Sequence, residues 1–152
     1  MNTPTLQQLI PVIQMSVGPV ILISGIGLLL LSMTNRFGRI IDRARLLSRE
    51  LPAAAPSLRE QLSTQLEVIY QRSRILRYSI MFATASVLLA GLLIITLFLA
   101  ALMHAEAGLL ITIWFILCIG MLIASLVAFM IDIQVSLKAL RVEMSQAGFQ
   151  HK

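Results

Sequence analysis

Charge is scarce in this chain of 152 residues: Asp, Glu, Lys and Arg together fill 12% of the positions, and aromatic residues 6%. A soluble domain carries roughly 25% charged residues. One this small is mostly surface, which must be polar to stay dispersed. The apolar fraction is 58%, above the roughly 45–50% of soluble domains. The excess needs a solvent other than water, and lipid is that solvent.

Cysteine is nearly absent. Cys118 stands alone, which excludes an internal disulfide framework and makes no metal site by itself. Inside an apolar run it reads as a small buried hydrophobe rather than a redox centre or ligand. Acidic residues are also few, 7 against 12 basic, so the net charge is +5. Such a balance would ordinarily raise nucleic acid as a partner. Here the arginines lie between apolar runs, where membrane topology accounts for them first, so no nucleic-acid partner is expected.

What the chain does have is three stretches without one charge: Ile10 to Met33, Ile80 to Met103, and Gly108 to Ile131. Each has about 24 residues, or about 36 Å as a helix, enough to cross a hydrocarbon core of about 30 Å. In lipid every backbone amide must be paired within its own segment, so the runs are expected to be helices. The fold class is therefore all-α, a single membrane domain over residues 1–152 with three transmembrane helices. The first run is too long for the apolar core of a secretory signal, roughly 7–15 residues. Met1 to Leu9 also lack Lys and Arg, so this run is expected to be retained as a span.

Orientation follows from arginine. The connection from Thr34 to Ser79 holds Arg36, Arg39, Arg43, Arg45, Arg49, Arg59, Arg72, Arg74 and Arg77. The opposite side holds only Met1–Leu9 and the turn His104-Ala105-Glu106-Ala107. The positive-inside rule puts the long connection in the cytoplasm and the amino terminus outside. The tail 132–152, with Lys138, Arg141 and Lys152, falls on the cytoplasmic side as well.

The connection, about residues 35–79, reads as a helical hairpin extending spans 1 and 2. Phe37, Ile40, Ile41, Ala44, Leu47 and Leu51 recur at the spacing of one helix face. Thr34 or Asn35 can cap the end of the first span, or the helix can run on through them. Pro52 and Pro56 mark the turn. Ser57 with Glu60 forms a capping box for the second arm, whose inner face carries Leu58, Leu62, Leu66, Ile69, Ser73 and Leu76. No break separates that arm from the second span, which predicts one long rod. The two arms are expected to pack antiparallel, and Gln134–Ser145 can add a third helix to them.

The run Ser24 to Arg45 contains Thr34-Asn35-Arg36 and Ile41-Asp42-Arg43-Ala44-Arg45. Tyr70-Gln71-Arg72-Ser73-Arg74-Ile75-Leu76-Arg77 and Ser136-Leu137-Lys138-Ala139-Leu140 follow further on. Together these segments resemble a bacterial domain-of-unknown-function family of small membrane proteins. The resemblance covers nearly the whole chain and implies a bacterial inner membrane and three spans, with no assigned activity.

Small residues line one face of each span: Gly18, Gly25 and Ser32 with Gly27 nearby in the first, Ser79, Ala83, Ser86 and Ala90 in the second, and Gly120, Ala124 and Ala128 in the third. Such faces let helices approach closely, within one subunit or between subunits. Gly25-Ile26-Gly27 is no nucleotide fingerprint, since no strand precedes it. Pro19 predicts a kink near Met15–Ser16. A kinked helix with glycine and serine can line a pore, but close packing explains the same residues.

No ionisable residue lies deep in a span, which counts against proton-coupled pumps and voltage sensors. Asp132 sits at the edge of the third span, where a structural ion pair with Lys138, Arg36 or Arg77 is expected at little cost. Asp42 is expected to pair with an arginine three positions away. The remaining arginines, Arg36, Arg39, Arg43, Arg45, Arg74 and Arg77, are candidates for contact with anionic lipid or a partner. Arg77 and Tyr78 fit an interfacial anchor. His104 and Glu106 read as a solvated turn, and His151 as part of a loose tail.

No catalytic constellation, metal set or cofactor motif emerges. The expectation is a non-enzymatic, self-associating membrane protein that touches membrane lipids and a copy of itself or another membrane protein. The alternative is a homo-oligomeric ion or small-solute channel lined by the first span.

Overall fold

A computed structural model describes the backbone of residues 6–53, 55–103 and 106–148, with the side chains of 10–52, 55, 56, 58–103 and 106–137. Among them the fold is all-α. Helices α1 (Leu6–Glu50), α2 (Pro56–Met103) and α3 (Gly108–Gly148) follow one another, with one 3₁₀ turn, Leu51–Ala53, between the first two. Each is long and apolar enough to cross a membrane, and the chain is a transmembrane protein.

Each helix continues beyond its apolar span without a break. α1 passes through Thr34 and Asn35, so neither caps an end there. Pro11 and Pro19 lie inside it and do not terminate it. α1 stops at the proline-bearing turn, whose Pro52 carbonyl accepts a hydrogen bond from Arg59 Nη2 at 3.3 Å. α2 starts one residue before the expected cap. Pro56 takes the first helical position, where its missing N–H is no loss, and the Ala55 carbonyl accepts from Leu58 N and Arg59 N. That places Ser57 inside the first turn; its side chain lies outside the described residues. α3 runs on through 134–145, so the tail helix is the end of the third span's own helix.

The spans bury little against each other. In the most apolar window of each, only 11%, 17% and 11% of residues are buried within the chain. Leu28, Leu88 and Leu109 stand 72%, 65% and 81% exposed. Side chains this apolar need a hydrocarbon environment, which a bilayer supplies at no cost in burial.

The contacts divide the chain into two compact units, Met1–Leu31 with Met81–Ala124, and Ser32–Ile80 with Ser125–Lys152. The core of the first contains Ser16 and Ile26 of α1, Ala83, Ser86, Ala90 and Leu93 of α2, and Cys118 of α3. The core of the second contains Met33 of α1, Leu62, Ile69, Leu76 and Ser79 of α2, and Ser125 and Asp132 of α3. Along α2 the buried positions 62, 69, 76, 83 and 90 keep a step of seven, as do 79, 86 and 93. On α3 the step recurs at 118, 125 and 132, and on α1 at 26 and 33. A seven-residue period of buried positions is the mark of knobs-into-holes packing.

The hairpin arms belong to the second unit. On α1, Phe37, Ile40, Ile41, Ala44 and Leu47 are half-buried while Arg39, Asp42, Arg43 and Arg49 are exposed. On α2, Leu62, Ile69 and Leu76 are buried, but Leu58, also expected on the inner face, is exposed.

Candidate functional site

Two kinds of polar contact bind α2 to α3. In the first unit, Ser86 Oγ donates to the Cys118 carbonyl at 2.9 Å, and Cys118 Sγ donates back to the Ser86 carbonyl at 3.3 Å. In the second unit, Ser79 Oγ donates to the Ser125 carbonyl at 2.7 Å and Ser125 Oγ returns a bond to the Ser79 carbonyl at 2.8 Å. Ser79 also lies 3.5 Å from Met33 Sδ of α1. Small side chains at these steps let the backbones come close enough for each hydroxyl or thiol to reach across. Cys118 is thus a buried packing residue.

Seven residues before Ser79 is Arg72, and seven after Ser125 is Asp132. Asp132 is fully buried in the second unit. Its Oδ2 lies 3.5 Å from Arg36 Nη2 of α1, and its Oδ1 lies 3.9 Å from Arg72 Nε of α2. Among the described residues, neither carboxylate oxygen has a hydrogen-bond partner, nor does Arg72 Nε. These are ion pairs without hydrogen bonds. Arg72 donates from Nη2 to Ser136 Oγ, and Arg36 stacks its guanidinium over the Phe129 ring, 5.3 Å from the centroid. The arrangement fixes both arginines, one by a hydroxyl and one by a ring face.

The sequence reading placed Asp132 at an edge where a charge is cheap. The structure buries it completely, so its two arginine partners are what make the charge tolerable. Of the three cations expected near it, Arg36 is there, Arg77 is exposed, and the Lys138 side chain lies outside the described residues. Arg72 is a partner that charge at the span edges does not point to. The signal for it was the shared step of seven, which aligns Arg72 with Ser79 and Ser86 just as it aligns Asp132 with Ser125 and Cys118.

The small-residue faces fare differently from one another. Ala83, Ser86 and Ala90 are buried, and Ala124 and Ala128 half-buried. Gly18, Gly25, Gly27, Ser32 and Gly120 are exposed, and a Cβ built at any of these glycines meets nothing within 4 Å. Within one chain these glycines therefore serve no close approach. The buried column of α1 is 26 and 33, one residue on from the column 25 and 32.

Arg39, Arg43, Arg45, Arg74 and Arg77 are exposed, as is Tyr78. Asp42 meets Arg45 at 3.6 Å, both side chains in the open. Glu106 is exposed, and His104 and His151 lie outside the described residues. Among the described residues, no three His, Cys, Asp or Glu side chains gather at one place.

Two clefts open on the second unit. The larger, about 660 Å³, has an apolar floor of Ile40, Ile41, Ala44, Leu66 and Ile69, with Arg45, Arg49 and Glu67 at its rim. The smaller, about 290 Å³, is lined by Arg36, Arg39, Ile40 and Arg72. What this architecture can do is hold a cluster of arginines from α1 and α2 around one carboxylate of α3.

No curated protein and no solved structure matches the chain. A family model described as Protein of unknown function (DUF2721) does match, over residues 16–142, a range that includes both serine seams and the whole Asp132 cluster. The chain belongs to that family.

Proposed function

We propose that this chain is a non-enzymatic, self-associating protein of an inner membrane, with its amino terminus outside and its hairpin and carboxyl terminus in the cytoplasm. In this reading the basic hairpin docks on anionic headgroups. The observation that carries it is the division of labour among the arginines. Arg36 and Arg72 are turned to Asp132, whereas Arg39, Arg43, Arg74 and Arg77 face outward and take no part in the core. Each outward arginine near an anionic surface is worth about 1 kcal/mol. The nine arginines between the first two spans also support the orientation through the positive-inside rule.

Self-association is supported by the open glycine face of α1, at Gly18 and Gly25. A non-enzymatic role is supported by the Ser79, Ser86 and Ser125 hydroxyls and the Cys118 thiol, each engaged with a carbonyl of the neighbouring helix. A channel lined by the first span has less support, since the Ser16 and Ser24 hydroxyls bond carbonyls of their own helix, Ile13 and Val20.

Native mass spectrometry of the protein released from nanodiscs of mixed anionic and zwitterionic lipid tests the proposal. Oligomers retaining anionic lipid are expected. Monomers with no lipid preference would overturn it, and proteolysis between Arg36 and Arg77 from outside intact cells would overturn the orientation.

A further inference from the structure

We infer that the cleft formed by Arg36, Arg39 and Arg72 is a discrete binding site for one phosphate group, that of an anionic membrane lipid. Three guanidiniums line it, and among the described residues the one carboxylate beside them, Asp132, leaves two positive charges uncompensated (three minus one). Asp42, the next acid along α1, faces Arg45 instead. Arginine presents its donors as a planar fork that matches phosphate oxygens, and it holds a charged oxygen more strongly than a neutral one.

The fork is also built before the ligand arrives. The Phe129 ring holds Arg36, the Ser136 hydroxyl holds Arg72, and Asp132 keeps the two cations together at distances too long to consume their donors as hydrogen bonds. Arg72 Nε in particular has no hydrogen-bond partner among the described residues. Preorganised donors lose little freedom on binding. The cleft, about 290 Å³, is far roomier than the ~30 Å³ share of a water molecule and takes a phosphate with part of its alcohol. Its depth fits a headgroup: Arg36 is three residues beyond the charge-free run that ends at Met33, and Asp132 directly follows the run that ends at Ile131. Ile40 supplies an apolar wall.

The inference rests on the docking reading above and narrows it from a diffuse basic surface to one site. Titration of the detergent-solubilised full chain with phosphatidic acid, read by native mass spectrometry, tests it. The wild type is expected to hold one lipid per chain, and Arg39→Gln to weaken that binding about tenfold or more. Arg39 is exposed and outside the Asp132 ion pairs, so this variant keeps the fold, which circular dichroism checks. Arg49→Gln, outside the cleft, is expected to bind as the wild type does. Equal losses in the two variants would overturn the site and leave general docking intact. No preference for phosphatidic acid over a zwitterionic lipid, in wild type or variant, would overturn both. Inorganic phosphate is expected not to displace the lipid at millimolar concentration. Displacement there would overturn the assignment to lipid in favour of a free anion.

Discussion

Ser79 and Ser125 each donate a hydroxyl to the other's backbone carbonyl, at 2.7 and 2.8 Å, so that α2 and α3 are tied by a reciprocal pair rather than by one bond. Both carbonyls are already engaged within their own helices, and the second bond is an addition to each. Ser86 and Cys118 repeat the device in the other unit with a thiol in place of one hydroxyl.

The serine pair leads to a modest loss on truncation and a larger one on enlargement. Side-chain hydrogen bonds between membrane helices are worth about 0.6 kcal/mol on average, so Ser79→Ala and Ser125→Ala should each lower stability by about that much. A double-mutant cycle should show coupling between them. Ser79→Leu pushes a branched side chain into a site of zero exposure and should cost about 1–3 kcal/mol. Reversible unfolding in mixed micelles measures all four. Additive single losses would mean that the two bonds act independently.

At Asp132 the effect of substitution is larger, because the loss of one charge strands two. Asp132→Asn keeps the shape and leaves Arg36 and Arg72 facing each other. Breaking a buried pair costs about 3–5 kcal/mol. The arginine side chains keep 29% and 22% exposure, which places the expected loss toward the lower end. Replacing the whole cluster with apolar residues (Arg36→Met, Arg72→Met, Asp132→Leu) should recover most of it, since buried ion pairs often fare no better than well-packed hydrophobes. A thermal melt in detergent decides; Asp132→Asn melting with the wild type would remove the cluster from the stability argument.

Much of this was legible in the sequence, and the limits of legibility are physical. The three spans follow from charge-free length, and the hairpin turn from Pro52 and Pro56. The inner face of the first arm, from Phe37 to Leu47, follows from polarity, because that segment has a polar side to contrast with. Inside the spans the contrast vanishes. Every face is apolar, so hydrophobicity cannot distinguish Ile26, which is buried, from Leu28, which is not. Glycine misleads there as well: the step of seven at Gly18, Gly25 and Ser32 is real, yet the chain buries the adjacent column. Arg36 is legible as a partner of Asp132 from its place at the end of the first span, whereas Arg72 is legible only when the heptads of α2 and α3 are laid against each other in antiparallel register.

The open glycines give a prediction that separates the single chain from its assemblies. Because a Cβ at Gly25 meets nothing within 4 Å, Gly25→Ala fits the isolated chain without strain. Alanine is a better helix former than glycine by about 0.8–1.0 kcal/mol, so the monomer should be as stable as the wild type or more so. If α1 meets a second copy through this face, Gly25→Leu should abolish crosslinked oligomers in native membranes while leaving the helical content unchanged. Oligomers that survive Gly25→Leu would move the interface elsewhere on the surface.

The contrast between Leu76 and Leu88 tests whether exposure in this structure means exposure to lipid. Both lie on α2, one with no exposure and the other 65% exposed. Leu76→Ala empties a packed site and should destabilise the protein by about 2–5 kcal/mol. Leu88→Ala removes a side chain that packs on nothing in the chain and should stay within about 0.5 kcal/mol. The sharper comparison is with charge. Placing arginine at position 88, in mid-span, should raise the free energy of insertion by about 2.5–3.5 kcal/mol if that face meets hydrocarbon. An aqueous surroundings would impose no such penalty. Insertion efficiency in microsomes, read by glycosylation of an engineered acceptor beyond the span, measures it. Efficient insertion of Leu88→Arg would show that this face of α2 lines a wet path or a polar interface, and would remove the physical basis for placing it against lipid.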